Sequence, residues 1–174
     1  MKKKLEKKQK YVIRMKTYYD DIADGYEELH KEEQLRKLRI IKEHLRFDRS
    51  DLMLDVGCGP GFASEILDCR LVGLDPSKEL LKRCSFKTIC CEAEEIPYPD
   101  KYFDVVISVT SIHNFNDVEA GLLEMKRVGK ERFAFSILKK TGNSEKIRTL
   151  IEKIFSVKKV IKDEQDLIII AKSF

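Results

Sequence analysis

The chain has 174 residues, a formal charge of +4, 43% hydrophobic residues and 37% charged residues. That length suits one domain with a sizeable core, and no apolar run approaches the length of a membrane-spanning helix. Five cysteines, odd in number and without paired C-x-x-C spacing, argue against both a disulfide framework and a zinc site, so reduced thiols and no metal are expected.

The charge is concentrated at the start. Residues 1–16 carry eight basic side chains against the single acid Glu6, a net of +7, so the remaining chain is mildly acidic. Such an arm either attracts phosphates, as on RNA, or is a solvated end that aids solubility. No apolar signal region follows the lysines, and a cytoplasmic location is expected. Leu5, Val12, Met15, Tyr19, Ile22, Tyr26 and Leu29 then recur at helical spacing, with Gly25 as a candidate break. A second helix is predicted with Leu35, Leu38, Ile41 and Leu45 on one face. Residues 1–46 read as a basic arm and lid helices, and 47–174 as the core of a single domain.

The core alternates strands and helices. Leu52–Val56 is an apolar run that ends in a glycine cluster, Gly57, Gly59 and Gly61. A short helix follows over 62–68, a strand over 71–74 and a helix over 77–84 with Ser77 as N-cap. Further strands are expected near 87–91, at 103–109 and at 132–138. Asp117 caps a helix to about Val128, and Asn143 or Ser144 opens another that ends near Phe155. Two last strands, 157–161 and 167–171, flank a polar loop of hairpin size. This alternation is the pattern of a doubly wound α/β sheet.

The first strand and its loop carry the functional signal. A strand that stops at a glycine loop and passes into a helix is the nucleotide-binding corner of that fold, because bare backbone lets a ligand approach. Asp75 lies twenty residues after Asp55, at the end of the second strand, where an acid accepts from ribose hydroxyls. Nicotinamide cofactors favour G-x-G-x-x-G, but the loop here reads G-x-G-x-G, with Phe62 at the last glycine position.

With Leu54-Asp55-Val56-Gly57-Cys58-Gly59-Pro60-Gly61 the chain resembles the class I S-adenosylmethionine-dependent methyltransferases. The likeness continues through Glu92-Ala93-Glu94-Glu95-Ile96-Pro97-Tyr98-Pro99-Asp100 and the strand Phe103–Ser108. It implies a Rossmann-like, seven-stranded, mostly parallel sheet with an antiparallel C-terminal hairpin. It also implies S-adenosylmethionine as cofactor, held by Asp55, Gly57, Cys58, Gly59, Gly61, Asp75, Pro76, Glu92, Ala93 and Ser108. Glu92 would accept from the adenine amine where the family more often has Asp. Tyr18–Tyr26 is similar to the family's N-terminal lid element, which adds Tyr19 and Tyr26. His113, in a hydrophobic-His-x-aromatic segment just past the fourth strand, is the candidate catalytic base or pocket-lining residue. His30 and His44 read as surface or packing residues.

The fourth strand lacks an Asp/Asn-Pro-Pro-aromatic tetrad, which makes exocyclic base amines and Gln side chains less expected acceptors. The segment Val106–Phe115 is similar instead to quinone-biosynthesis and tRNA wobble-uridine methyltransferases, so RNA and small molecules both stay open. The chain departs from both beyond residue 126 and has no insertion before the sixth strand. In some methyltransferases of this fold the third-strand edge pairs with a small zinc-binding activator, which makes residues 87–91 a candidate docking edge. The alternative reading is a non-catalytic, methyltransferase-like binding or interaction module. A nicotinamide-dependent oxidoreductase is a more distant third.

Overall fold

The computed structural model describes residues 23–140 and 142–174, with side chains from His30 onward. Its apolar runs pair into one sheet of seven strands: β1 (Leu52–Val56), β2 (Arg70–Leu74), β3 (Lys87–Ile89), β4 (Phe103–Val109), β5 (Gly129–Leu138), β6 (Ser156–Lys162) and β7 (Asp166–Lys172). Their order is β3-β2-β1-β4-β5-β7-β6. The first five are parallel, and β7 runs antiparallel between β5 and β6. The expected α/β architecture with its inserted seventh strand is therefore present.

Alternation along each strand builds two cores. Leu54, Val56, Val106, Phe133, Phe135 and Ile169 face one side, under α3 (Val118–Val128) and α4 (Ser144–Ile154), with the Phe155 ring packed at a tilt against Phe133 and Phe135. Met53, Val105, Ile107, Ala134, Ile168 and Ile170 face the other side, under α1 (Ala23–His44). The predicted stripe Leu35, Leu38, Ile41 and Leu45 is the buried face of α1. A sheet covered on both faces needs strands that are apolar on both sides, as β1 and β4 are except at Asp55, Asp104 and Ser108.

Five boundaries differ from expectation, the plainest being β5, which starts at Gly129 and not at 132. Gly25 does not divide two helices: it lies inside α1. A glycine costs only about 1 kcal/mol relative to alanine in a helix, less than the burial of the α1 stripe returns. The helix expected at 62–68 is one 3-10 turn, Phe62–Glu65, because the chain must reach β2 by Arg70. The helix at 77–84 is α2, Lys78–Leu81; Arg83 and Cys84 donate to Leu80 and Leu81 and close it three residues back. The third strand stops at Ile89 because β2, its only neighbour among the described residues, ends at Leu74. The leading residues of the N-terminal stripe, Leu5 to Ile22, and the basic arm lie outside the described residues.

The strand order reverses at β1, which has β2 on one side and β4 on the other. In open α/β sheets ligands bind at such a point, beyond the carboxyl ends of the strands. No described helix is long and apolar enough to cross a membrane.

Candidate functional site

The carboxyl ends of β1 and β2 are tied together. Gly57 and Cys58 both donate to the Leu74 carbonyl, at 2.7 and 3.0 Å. The loop turns through positive φ at Gly57 (76°), Gly59 (53°) and Gly61 (87°). Gly57 has a second reason to be glycine: a Cβ built there would lie 2.3 Å from the Ser111 Cβ. Ser111 donates to the Val56 carbonyl at 2.8 Å, so the turn after β4 rests on this loop. Asp75 fixes the loop from the other side. Its carboxylate accepts from the Gly59 amide at 2.9 Å and from the Ser77 amide at 2.8 Å.

These elements bound a cleft of about 590 Å³, its open mouth included. Of the residues singled out in the sequence, Gly57, Gly59, Asp75, Pro76, Glu92 and Ala93 line it. The segment carrying Glu92 and Ala93 is braced by Arg127, which spans the Ile96 and Tyr98 carbonyls, Asp100 and both Glu124 oxygens at 2.7–2.9 Å. Glu124 in turn accepts from the Ile96 amide.

Asp55 and Cys58 line a smaller cavity on the other side of the loop, with Gln34, Leu38 and Phe62. Asp55 is 4% exposed, and its Oδ1 has no hydrogen-bond partner among the described residues. Burial, with the charges of Cys84 and Asp75 adding to it, pushes its carboxyl up to about 8. Gly61 shapes the loop without lining the cleft. Ser108 is fully buried behind it, bonded to Ser111, so Ser111 occupies the surface position expected of Ser108. Tyr19 lies outside the described residues, and Tyr26 falls on α1 ahead of the described side chains.

The third wall comes from the segment just past the fourth strand, in which the sequence points to Ser108 and His113 and not to the residues that line the cleft. Val109, Thr110, Ser111, Asn114 and Phe115 line the cleft at the end of β4. Thr110 holds φ at 56°, a region that a β-branched residue avoids. Behind it sits a buried network. Lys37 of α1 donates to the Thr110 hydroxyl at 2.8 Å and lies 2.9 Å from Asp166 Oδ1; both charged side chains are 0% exposed. Lys37 also pairs with Glu33, and Asp166 accepts from Thr110 and Ser136. A rule that the residue after a strand's carboxyl end faces the ligand would have found Thr110 and Ser111. Nothing in the sequence pairs Lys37 with Asp166.

His113 lies in the 3-10 turn Ile112–Asn114, between cleft-lining neighbours, but does not itself line the cleft. Its Nδ1 is buried and has no partner among the described residues. Burial, and then the Lys37 charge, pull its pKa below the usual histidine value against the opposing pull of Asp166. The ring is thus neutral near pH 7. Among the described residues no three metal-ligating side chains cluster.

Residues 54–135 match the family model for a methyltransferase domain. An uncharacterised protein of Methanocaldococcus jannaschii is 35% identical over 123 residues, covering 67% of this chain and 48% of that protein. The chain thus spans about half the length of this curated relative. A chain from the complex of the Haloferax volcanii Trm112 methyltransferase activator with a methyltransferase superposes with a TM-score of 0.76 at 14% identity, covering 89% of this chain and 97% of that one. An S-adenosylmethionine-dependent methyltransferase of Aquifex aeolicus does so with a TM-score of 0.75 at 18% identity, covering 89% and 98%. At such identities the likeness is one of fold. The domain match and that fold together support the class I methyltransferase class that the glycine loop resembles.

Proposed function

We propose that the chain is an S-adenosylmethionine-dependent methyltransferase acting on RNA or a small molecule, of the kind found in quinone biosynthesis and wobble-uridine modification. One observation carries this reading: a glycine loop, the acid just past the second strand and the acid three residues past the third, 57–92 in sequence, converge on one cleft.

The residues fit the cofactor. Asp75, held in place by two amides, lies where ribose hydroxyls would donate. Glu92 and the Ala93 amide would read adenine. The orphaned Asp55 carboxyl, one loop thickness away, has the chemistry to accept from an ammonium group. A buried acid without a partner among the described residues is costly to desolvate, which favours a bound cationic group there over a purely structural role.

The cofactor supplies an activated sulfonium methyl, so the chain's part is alignment and exclusion of water. Positioning alone can lower a barrier by roughly 7–11 kcal/mol. In this reading the acceptor enters over Thr110–Phe115, and the rigid network behind Thr110 fixes that wall. His113 packs behind the acceptor side, outside the cleft lining, and its part is to hold the Ser111–Phe115 turn in place.

Two partners belong to the same proposal. Residues 1–16 would hold RNA through phosphate contacts. The outer edge of β3 would dock a small activator, a reading supported by the fold shared with the Haloferax volcanii chain solved with one. By contrast the opposite edge, β6, exposes Lys158, Lys159 and Lys162, a pattern that discourages strand addition. Ile89→Lys should abolish co-purification of the activator; a fully active, monodisperse isolated chain that is indifferent to Ile89→Lys would remove that partner.

Calorimetry against S-adenosylmethionine, S-adenosylhomocysteine and NAD tests the core of the reading. Binding of the first two and not of NAD is expected, and binding of NAD alone would overturn it. Uptake of labelled methyl into RNA, protein or small-molecule fractions then identifies the acceptor.

A further inference from the structure

Two of the five cysteines meet beneath the glycine loop. Cys58 lies within the loop, between Gly57 and Gly59, and is buried; Cys84 follows α2 and is half-buried. Each thiol lies close enough to shift the other's ionisation, and Cys58 Sγ also reaches the Gly59 carbonyl at 3.6 Å. The space for this contact comes from two missing side chains. A Cβ on Gly61 would lie 2.5 Å from Cys84 Sγ, and one on Gly73 would lie 2.5 Å from Cys58 Sγ. The Phe86 ring spans both positions, at 3.0 and 2.9 Å. The two sulfurs therefore share one pocket, roofed by an aromatic ring and opening at Cys84.

We propose that Cys58 and Cys84 form a reversible disulfide that is made by peroxides and releases the cofactor loop from its binding geometry. The gating half of this proposal rests on the methyltransferase reading; the disulfide itself does not.

The chemistry divides between the two thiols. The Cys58 contact and the Ser85 and Phe86 amides stabilise the Cys84 thiolate, bringing its pKa down to about 7. The Cys58 thiol is held well above its ordinary value, by its contact with Cys84 and by burial. An accessible thiolate beside a protonated, buried thiol is the arrangement of an attacking and a resolving cysteine. Cys84 sulfur attacks one peroxide oxygen, the O–O bond breaks, and with one proton taken up the products are a sulfenic acid and water. Cys58 sulfur then displaces the sulfenic hydroxyl, losing its proton, and a second water leaves. Two thiols and one hydrogen peroxide give one disulfide and two waters.

Forming the bond moves the loop. A disulfide needs sulfurs about 2.05 Å apart and a fixed dihedral, closer than any thiol hydrogen bond. Cys58 must shift toward Cys84, and its neighbours Gly57 and Gly59 line the cleft. The Gly59 amide, which donates to Asp75, moves with it.

The experiment treats the whole chain with hydrogen peroxide and maps peptides without reduction. A Cys58–Cys84 linkage should form before the exposed Cys90 is modified. Cys58→Ser should instead trap a dimedone-reactive sulfenic acid at Cys84. Oxidised protein should bind S-adenosylmethionine more than tenfold more weakly and recover with dithiothreitol, whereas Cys84→Ser should bind it equally with and without peroxide. Oxidation of Cys90 with Cys58 and Cys84 still alkylatable overturns the disulfide. A mapped disulfide with unchanged affinity overturns the gating. If neither redox form binds the cofactor, the methyltransferase reading fails while the peptide map still decides the cysteine pair.

Discussion

The two sides of the cleft are built by different means. The β1–β2 side is backbone: glycines, two amides on one carbonyl and two amides on the Asp75 carboxylate, all within residues 55–77. The β4 side is side chains: Thr110 is held by Lys37, 73 residues away, and by Asp166, 56 residues away. A ligand common to many proteins can be bound by a short local motif. The wall to which the proposed function assigns the acceptor is assembled from distant parts of the chain, and its fixity costs a buried ion pair. The comparison breaks if the β4 side tolerates loss of its charges or the β1–β2 side tolerates a methyl group.

The largest effect is expected at Lys37. Lys37→Met leaves the fully buried Asp166 without its cation and should destabilise the fold by about 3–5 kcal/mol, read by urea unfolding. The double change Lys37→Met with Asp166→Leu should recover most of that loss, because an apolar pair of similar volume carries no stranded charge. If the single change costs under 1 kcal/mol, the network does not hold the Thr110 wall. Removing only a surface pair such as Arg49 and Asp68 should cost far less, since both are well exposed.

Gly57 tests the other side. Gly57→Ala puts a Cβ at positive φ and against Ser111, and should cost roughly 2–4 kcal/mol. Adding Ser111→Gly should return the steric part and leave the backbone part. A fully stable Gly57→Ala protein would mean that the loop relaxes easily, and the contrast with the β4 side would shrink.

This division also explains what could be read from the sequence. β1, β4, α3 and the terminal hairpin were legible because their apolar periods and caps are local; Asp117 does cap α3, accepting from the Glu119 and Ala120 amides. The cleft residues Gly57, Gly59, Asp75 and Glu92 were legible for the same reason. The lengths of α2 and of the turn after Gly61 were not, because they are set by how far the chain must travel to its next strand. Asp55 carries the right chemistry but lies on the far side of the loop, since β1 alternation points it toward α1. Lys37 reads as one charge among many in a helix with 37% charged residues in the chain around it, and only the tertiary fold shows that it is buried.

Asp75 sharpens the comparison at the level of the ligand. Asp75→Ala should weaken S-adenosylmethionine binding by about 1.5–3 kcal/mol, the scale of hydrogen bonds to a charged group. The loss should be smaller for a 2′-deoxyribose analogue, because part of it is the ribose contact and part is the amide clamp on Gly59. Calorimetry with both ligands separates the two. Equal losses would assign Asp75 to the loop alone.

The smallest and most specific effect concerns Asp55 and pH. Its carboxyl is raised to about 8, so between the ordinary carboxylate range and pH 8 the folded chain keeps a proton that the unfolded chain has lost. Fold stability from this group therefore falls as pH rises through that window. Cofactor binding has the opposite sign. An ammonium beside Asp55 favours the carboxylate, so below pH 8 binding must release the proton, and affinity should rise with pH by up to about 1.4 kcal/mol per unit before levelling near 8. Calorimetry at pH 7 in buffers of different ionisation enthalpy should register close to one proton released. Asp55→Asn cannot release it, and its affinity should be nearly flat from pH 6 to 8. A wild-type affinity that is flat over the same range, with no proton released, would take Asp55 out of the cofactor site and leave the glycine loop and Asp75 as the whole of the β1–β2 contribution.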